Sequence, residues 1–391
     1  MNYTGQNTVN YTPASQRIAS LDIIRGFALL GIVMVNSLGF NSSFFNFGGY
    51  YNSIPDTIQQ QFYSIFISLS VDKFIFLFSF MFGYGIYMQY HKFISNNQNF
   101  GGFFGRRMLI LSLFGVFHVL LLWAGDILFA YAIAGMVIFS LRKLSAAIQI
   151  FIALFFYFFI AMWLSAGLWV DLPDAMTSTC TECLDKARVV YSSGNYFDIL
   201  QLRIQEYFAF RNNNLFYYLP KIMGVGLMGF VCSRFNLQQV VFKKKLLWTL
   251  ILIIVAGIAT LAYFGYEKIA DFDSPYAIAV YMAGYEFMNL FMAGTYILLI
   301  LLLTSFVKIA NIFKPVALMG RMSLTNYLMQ SLLLAIIFYG WGFGLFGQTN
   351  VILVVCIAVA IYCVQLIYSS IWFHYFNSGP LEKIWRRLTY R

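Results

Sequence analysis

Ten runs of mostly apolar residues, each near or above the roughly 20 that carry a helix through a ~30 Å hydrocarbon layer, leave this chain few folds. They fall at 23–45, 62–90, 107–124, 126–142, 146–170, 214–232, 246–266, 276–306, 320–345 and 350–377. In hydrocarbon every backbone N–H and C=O must be paired within the protein, so helices or a closed barrel are the solutions, and runs of this length select helices. Only Ala124, Gly125 and Asp126 separate the third run from the fourth, which predicts a tight helical hairpin. The expected fold is all-α, a polytopic transmembrane bundle of about ten spans. Composition agrees: 61% of the residues are hydrophobic and 10% charged, against about 25% charged in soluble domains.

The net charge of +10 would suit a nucleic-acid partner if it were clustered, but the basic residues sit in short blocks between the apolar runs. With the N-terminus inside, eighteen of the 25 Lys and Arg fall on the cytoplasmic side, so the positive-inside rule predicts both termini cytoplasmic and no nucleic-acid partner. Residues 1–16 are polar and uncharged, which predicts a disordered tail rather than a cleavable signal peptide. A transmembrane domain over 17–378 follows. Residues 379–391, with Trp385 beside Arg386 and Arg387, read as a cytoplasmic interfacial tail.

One external connection, 171–213, is long enough to be a lid or a binding element. It carries Cys180 and Cys183, either bridged or free, and apolar and polar residues alternate at helical spacing over Tyr196–Phe210. A zinc site would need further ligands nearby, so no metal is expected. Cys232, Cys356 and Cys363 lie in spans and act as small hydrophobes. No internal repeat supports a transporter built from inverted halves.

Ionisable groups inside spans are costly and mark candidate functional positions. Asp22 and Arg25, three apart at the start of the first span, share a helix face, with Ser20 as the expected N-cap. Asn36 lies eleven residues beyond Arg25. On the third span Arg106 and Arg107 precede His118, which at ~1.5 Å per residue stands about 16 Å above Arg107, near the membrane centre. Asp126 follows after eight residues, either turned back toward the imidazole or facing external water. Asp72, Lys73, Glu286 and Asn289 lie in other spans; Lys73, paired with Asp72, is expected to snorkel outward. Asn326 and Gln330, four apart, share a face and suit interhelical hydrogen bonding. Gly83, Gly85 and the Gly224, Gly226, Gly229 cluster are expected to permit close helix packing.

The stretch Arg17–Ile32 with Asn36, then Lys73-Phe74 and Leu77–Gly83, resembles the YeiB-like family of bacterial membrane proteins of unknown function. The resemblance continues through Gly115, His118 and Leu121–Leu128, through Gly320–Tyr327, Tyr339-Gly340 and Gly344–Gly347, and through Gly379–Glu382 to Leu388–Tyr390. It implies a multi-pass protein of the bacterial cytoplasmic membrane. The first-span pattern is also similar to that of transmembrane acyltransferases, including the lysosomal heparan-glucosaminide and sugar O-acyltransferases. Where the sugar enzymes carry His this chain has Asn36, and residues 41–56 contain no His, so His118 is the position left to serve as base.

The preferred expectation is a membrane acyltransferase. Acyl-CoA, acetyl-CoA in the simplest case, would bind from the cytoplasm with its phosphates on Arg25, Arg106, Arg107 and Arg321. His118 would act as general base, with Asp126 fixing its tautomer and Asn36 or Asn326 stabilising the oxyanion, while 171–213 covers a small-molecule, glycan or lipid acceptor. The alternative is a small-molecule transporter that uses the buried Asp, His and Lys groups as a path; a third reading is a non-catalytic scaffold. The bilayer and the acceptor are the expected partners, and homo-oligomerisation is left open.

Overall fold

A computed structural model describes residues 19–43, 50–160, 181–267 and 275–390. The tail at 1–16, Cys180 and the first part of the 171–213 connection lie outside these residues. The described chain is helical, without a strand: α1 (Ala19–Asn41), α2 (Thr57–Ser70), α3 (Lys73–Ser95), α4 (Phe100–Leu121), α5 (Leu128–Leu141), α6 (Ala146–Leu154, continued by wider π turns to Ile160), α7 (Thr181–Ser193), α8 (Tyr196–Asn213), α9 (Leu219–Arg234), α10 (Leu237–Lys243), α11 (Lys245–Glu267), α12 (Pro275–Thr304), α13 (Val307–Ile312), α14 (Lys314–Arg321), α15 (Ser323–Phe338), α16 (Val351–Tyr375) and α17 (Pro380–Thr389).

Among the described residues seven helical stretches are long and apolar enough to cross a membrane: Ala19–Asn41, Thr57–Ser95, Phe100–Leu121, Phe216–Arg234, Lys245–Gly265, Val280–Thr304 and Val351–Tyr375. Three shorter apolar helices, Leu128–Leu141, Ala146–Phe159 and Ser323–Phe338, overlap the expected fourth, fifth and ninth runs. The chain is a multi-pass membrane protein. The second expected span, 62–90, is two helices, because Asp72 breaks it with φ +68°, a conformation that L-residues adopt at a cost. The segment Tyr196–Phe210 is helical, as its spacing predicts.

Side-chain caps start several helices where the sequence supplies them. Asn99 accepts from Gly101 N at 2.9 Å to open α4, and Asn350 from Leu353 N at 2.9 Å to open α16. Ser20, the expected cap of α1, instead buries its hydroxyl without a hydrogen-bond partner.

The centre of the bundle is formed by α1, α3 and α9 with α14 and α16 around α1, whereas α11 and α12 pair at the periphery and α11 leaves most of its apolar surface open. Glycines set the closest approaches. A Cβ at Gly83 on α3 would stand 1.7 Å from Gly226 O on α9, and one at Gly320 on α14 would stand 1.9 Å from Asp22 O on α1. The second approach seats Arg321 beside the Asp22–Arg25 turn and so builds one end of the candidate site.

Candidate functional site

The α4–α5 hairpin returns Asp126 onto the ring of His118. Gly115 and the short turn at 122–127 allow it, and the imidazole Nδ1 lies 3.0 Å from Asp126 Oδ1 with both side chains excluded from solvent. The other carboxylate oxygen, Oδ2, accepts from Phe129 N at 2.8 Å and caps α5. A carboxylate only accepts, so Nδ1 carries the proton and Nε2 is left basic. Nε2 faces Ser331 Oγ of α15 at 2.8 Å. The external-water alternative for Asp126 is therefore overturned: Asp126, His118 and Ser331 form a buried carboxylate–imidazole–hydroxyl chain. Such a chain is the arrangement by which a hydroxyl is made nucleophilic, recognised by roles and geometry rather than by fold.

Ser331 was not singled out from the sequence. Tyr327 and Ser331 are four apart and share a face of α15 next to that of Asn326 and Gln330, and this spacing was the available signal.

A cavity of about 690 Å³ runs from the bundle end that carries Arg25, Lys92, Arg107, Arg321 and Arg386 to an apolar interior lined by Met81, Phe82, Leu111, Leu128 and Tyr131. Its inner wall includes Tyr327, whose ring centroid is 5.0 Å from that of His118. The Tyr327 hydroxyl is buried beside the Ile127 N–H and donates its own proton to no acceptor. At the mouth Arg25 Nη1 donates to Asp22 Oδ1 at 2.9 Å, as the three-residue spacing implies. Arg107 stacks beneath Trp385 of α17, 3.7 Å from the ring centroid, and accepts from the indole N–H at its carbonyl, 3.1 Å. Arg321 stacks on Phe373 at 4.2 Å, and its partial burial outside the spans pulls its pKa down from the ordinary guanidinium value. Three of the four expected phosphate-binding arginines thus converge. Arg106 does not line the cavity; it is exposed on the other side of α4. The tail read as an interfacial anchor is a helix that supplies Trp385 and Arg386 to the cavity wall.

The two expected oxyanion groups stand apart from this chain. Asn36 is half-buried on α1 and is not a hydrogen-bond partner of His118. Asn326 commits its amide N–H groups to Met319 O and Ser369 Oγ, both at 3.1 Å. Gln330 donates to Gln365 Oε1 at 2.9 Å, and Gln365 returns a bond to Asn326 O at 3.0 Å. These are interhelical ties from α15 to its neighbours α14 and α16.

A second charged cluster lies between α2, α3, α9 and α12. Lys221 pairs closely with Glu286 and lies 3.9 Å from Asp72 Oδ2. Tyr217 donates to Glu286 at 2.8 Å, Tyr157 at 3.2 Å, and Asn289 donates to Asp72 at 3.4 Å. Lys73 is fully buried, its ammonium 5.5 Å from the Tyr285 ring centroid and without a hydrogen bond, so the expected snorkelling is overturned. Among the described residues no group of three His, Cys, Asp or Glu is placed to hold a metal.

Over the far end of α4 sit α7 and α8 of the 171–213 connection. Arg203 donates to Leu120 O at 3.0 Å and Tyr196 to Leu121 O at 3.3 Å, two and three residues beyond His118. Tyr191 donates to Glu206 at 2.6 Å, and Ser43 donates to the other oxygen of the same carboxylate. Cys183 is disulfide-bonded, while Cys232, Cys356 and Cys363 are free.

A model of the family described as "Protein of unknown function (DUF418)" matches residues 234–391. Similarity over nearly the whole chain is found to the uncharacterized protein YxaH of Bacillus subtilis (strain 168), 29% identical over 97% of this chain and 96% of that protein. The uncharacterized protein YeiB of Escherichia coli (strain K12) is 25% identical over 96% of this chain and 97% of its own length. The chain is similar to YeiB-like proteins along nearly its whole length. The family match covers the part of the site built from Arg321, Tyr327, Ser331 and α17, while His118 and Asp126 precede it. An uncharacterized 39.9 kDa protein of Bacillus acidopullulyticus is 29% identical over 96% of this chain and 94% of that protein, so the whole-chain similarities take in α4 as well. No solved structure matches the chain.

Proposed function

We propose that this protein is an integral membrane acyltransferase of the bacterial cytoplasmic membrane, which moves an acyl group from cytoplasmic acyl-CoA to an acceptor on the external side. The observation that carries the reading is the cavity: cationic at its mouth, apolar within, and ending at Tyr327 against the His118–Asp126 pair. Its volume lies in the usual range of roughly 300–1,000 Å³ for small-molecule sites. Arg25, Arg107, Arg321 and Arg386 suit the phosphates of a CoA, which Arg binds in bidentate fashion. The apolar part suits the pantetheine arm and the acyl chain. His118, held by Asp126 in the tautomer with a basic Nε2, takes a proton from an attacking hydroxyl or amine.

Sidedness is supported by the same cavity. The start of α1, through Asp22 and Arg25, and the tail helix α17 meet at one mouth, in keeping with both termini being cytoplasmic. The helices over Leu120 and Leu121 would then form the external cover, beneath which a small-molecule, glycan or lipid acceptor is presented.

Purified protein is tested for binding of CoA and acetyl-CoA, with Arg25→Ala and Arg107→Ala as comparisons. Micromolar binding that weakens in both variants supports the reading. Absence of binding to folded wild type sinks the donor site and favours the transporter reading, for which the buried Asp72–Lys73–Lys221–Glu286 cluster supplies a proton or ion path.

A further inference from the structure

We infer that the acyl group passes through Ser331, held there as a serine ester between donor and acceptor. The inference rests on the acyltransferase reading and adds to it a covalent stage and its residue.

Ser331 Oγ is 2.8 Å from the basic nitrogen of His118, while its other acceptor, Tyr327 O, is at 3.4 Å, so the hydroxyl proton is directed to the imidazole. Both Asp126 oxygens are occupied, by His118 Nδ1 and by Phe129 N, which leaves the imidazole one orientation. Ser331 is 1% exposed. An ester formed there is shielded from hydrolysis. One turn before Ser331 on the same helix, Tyr327 lines the cavity, and its hydroxyl, which faces the Ile127 N–H, donates to no acceptor and is the available donor for the carbonyl oxygen as it gains charge.

In the first half-reaction Ser331 Oγ attacks the thioester carbonyl carbon while His118 Nε2 takes the hydroxyl proton. The C–S bond then breaks with its electron pair on sulfur, and His118 returns the proton to give CoA thiol and acyl-Ser331. In the second, the acceptor hydroxyl or amine attacks the ester carbonyl and gives its proton to His118. The bond to Ser331 Oγ breaks, and the proton passes back to that oxygen. Donor and acceptor occupy opposite ends of α4 and need never meet, which suits a transfer across a membrane.

Wild type, Ser331→Ala and Ser331→Cys are incubated with acetyl-CoA or palmitoyl-CoA carrying a labelled acyl group, without acceptor, then acid-quenched and digested. Released thiol is measured in parallel. We expect close to one label per wild-type chain on the Ser331 peptide with stoichiometric thiol release, none in Ser331→Ala, and in Ser331→Cys a label on the same peptide far more sensitive to neutral hydroxylamine. Wild type that binds CoA but carries no label on that peptide overturns the covalent stage and leaves direct transfer. Label retained in Ser331→Ala overturns it too. Wild type that is folded but binds no CoA overturns the acyltransferase reading itself, and the covalent stage with it.

Discussion

Gly115 leaves the space that the Asp126 carboxylate fills. A Cβ at Gly115 would stand 2.7 Å from Asp126 Oδ2 and 2.6 Å from Phe129 N, so any larger residue displaces both the carboxylate and the start of α5. Forcing a methyl group into such a packed contact costs about 1–3 kcal/mol. Gly115→Ala should therefore lower the melting temperature moderately, and should abolish thioester turnover while CoA binding at the remote mouth persists. Equal loss of binding and turnover would show that the hairpin, not the His118 tautomer, had failed.

Adjacent arginines on α4 should behave differently. Arg107 lines the cavity beneath Trp385, whereas Arg106 faces outward. A lost charge-assisted contact costs about 1.5–3 kcal/mol, roughly 10- to 100-fold in Kd. Calorimetric titration with CoA should show that loss in Arg107→Ala and little change in Arg106→Ala. The reverse order would place the phosphates elsewhere.

The Lys221–Glu286 pair allows a stability cycle away from the cavity lined by Arg25 and Arg107. Both side chains are fully buried, and removing one partner of such a pair leaves an uncompensated charge, typically at about 3–5 kcal/mol. Lys221→Met and Glu286→Met should each lower thermal stability in detergent sharply, and the double variant should regain much of the loss. If both single variants keep wild-type stability, the cluster is hydrated and belongs to a path rather than to the packed interior.

What could be read from the sequence follows from how local each relationship is. Asp22 with Arg25 follows from helical spacing, and His118 with Asp126 from a hairpin of a few residues. Arg25, Arg107 and Arg321 all lie near helix ends, and the fold brings those ends together at one mouth. Arg106 failed because neighbouring residues on a helix point about 100° apart, and nothing local says which of two faces the cavity. Ser331 meets His118 across 213 residues of chain, and helix order around a bundle is not written in periodicity. Asp72 looked like part of a continuous span because hydropathy is blind to a single positive φ.

Glu382 shows how the tail is coupled to the site, and its pH dependence tests that coupling. No local side chain caps α15; instead Glu382 of α17 accepts from Leu324 N at 2.8 Å, Thr325 N at 3.1 Å and Thr325 Oγ1 at 2.6 Å. The helix that carries Tyr327 and Ser331 is thereby tied to the tail that carries Trp385. Burial outweighs these hydrogen bonds and pushes the Glu382 carboxyl above its ordinary 4.5. The folded state therefore holds this proton to higher pH than the unfolded chain does, so the contribution is fully present below about 4.5 and falls as pH rises through the raised value. Wild type should gain stability as the pH is lowered from 7 toward 5, and Glu382→Gln, which keeps an acceptor but does not titrate, should lose that dependence. Thermal melts of both proteins across this range decide it: parallel pH profiles would mean that Glu382 remains charged and solvated, and that the tail is not docked on α15.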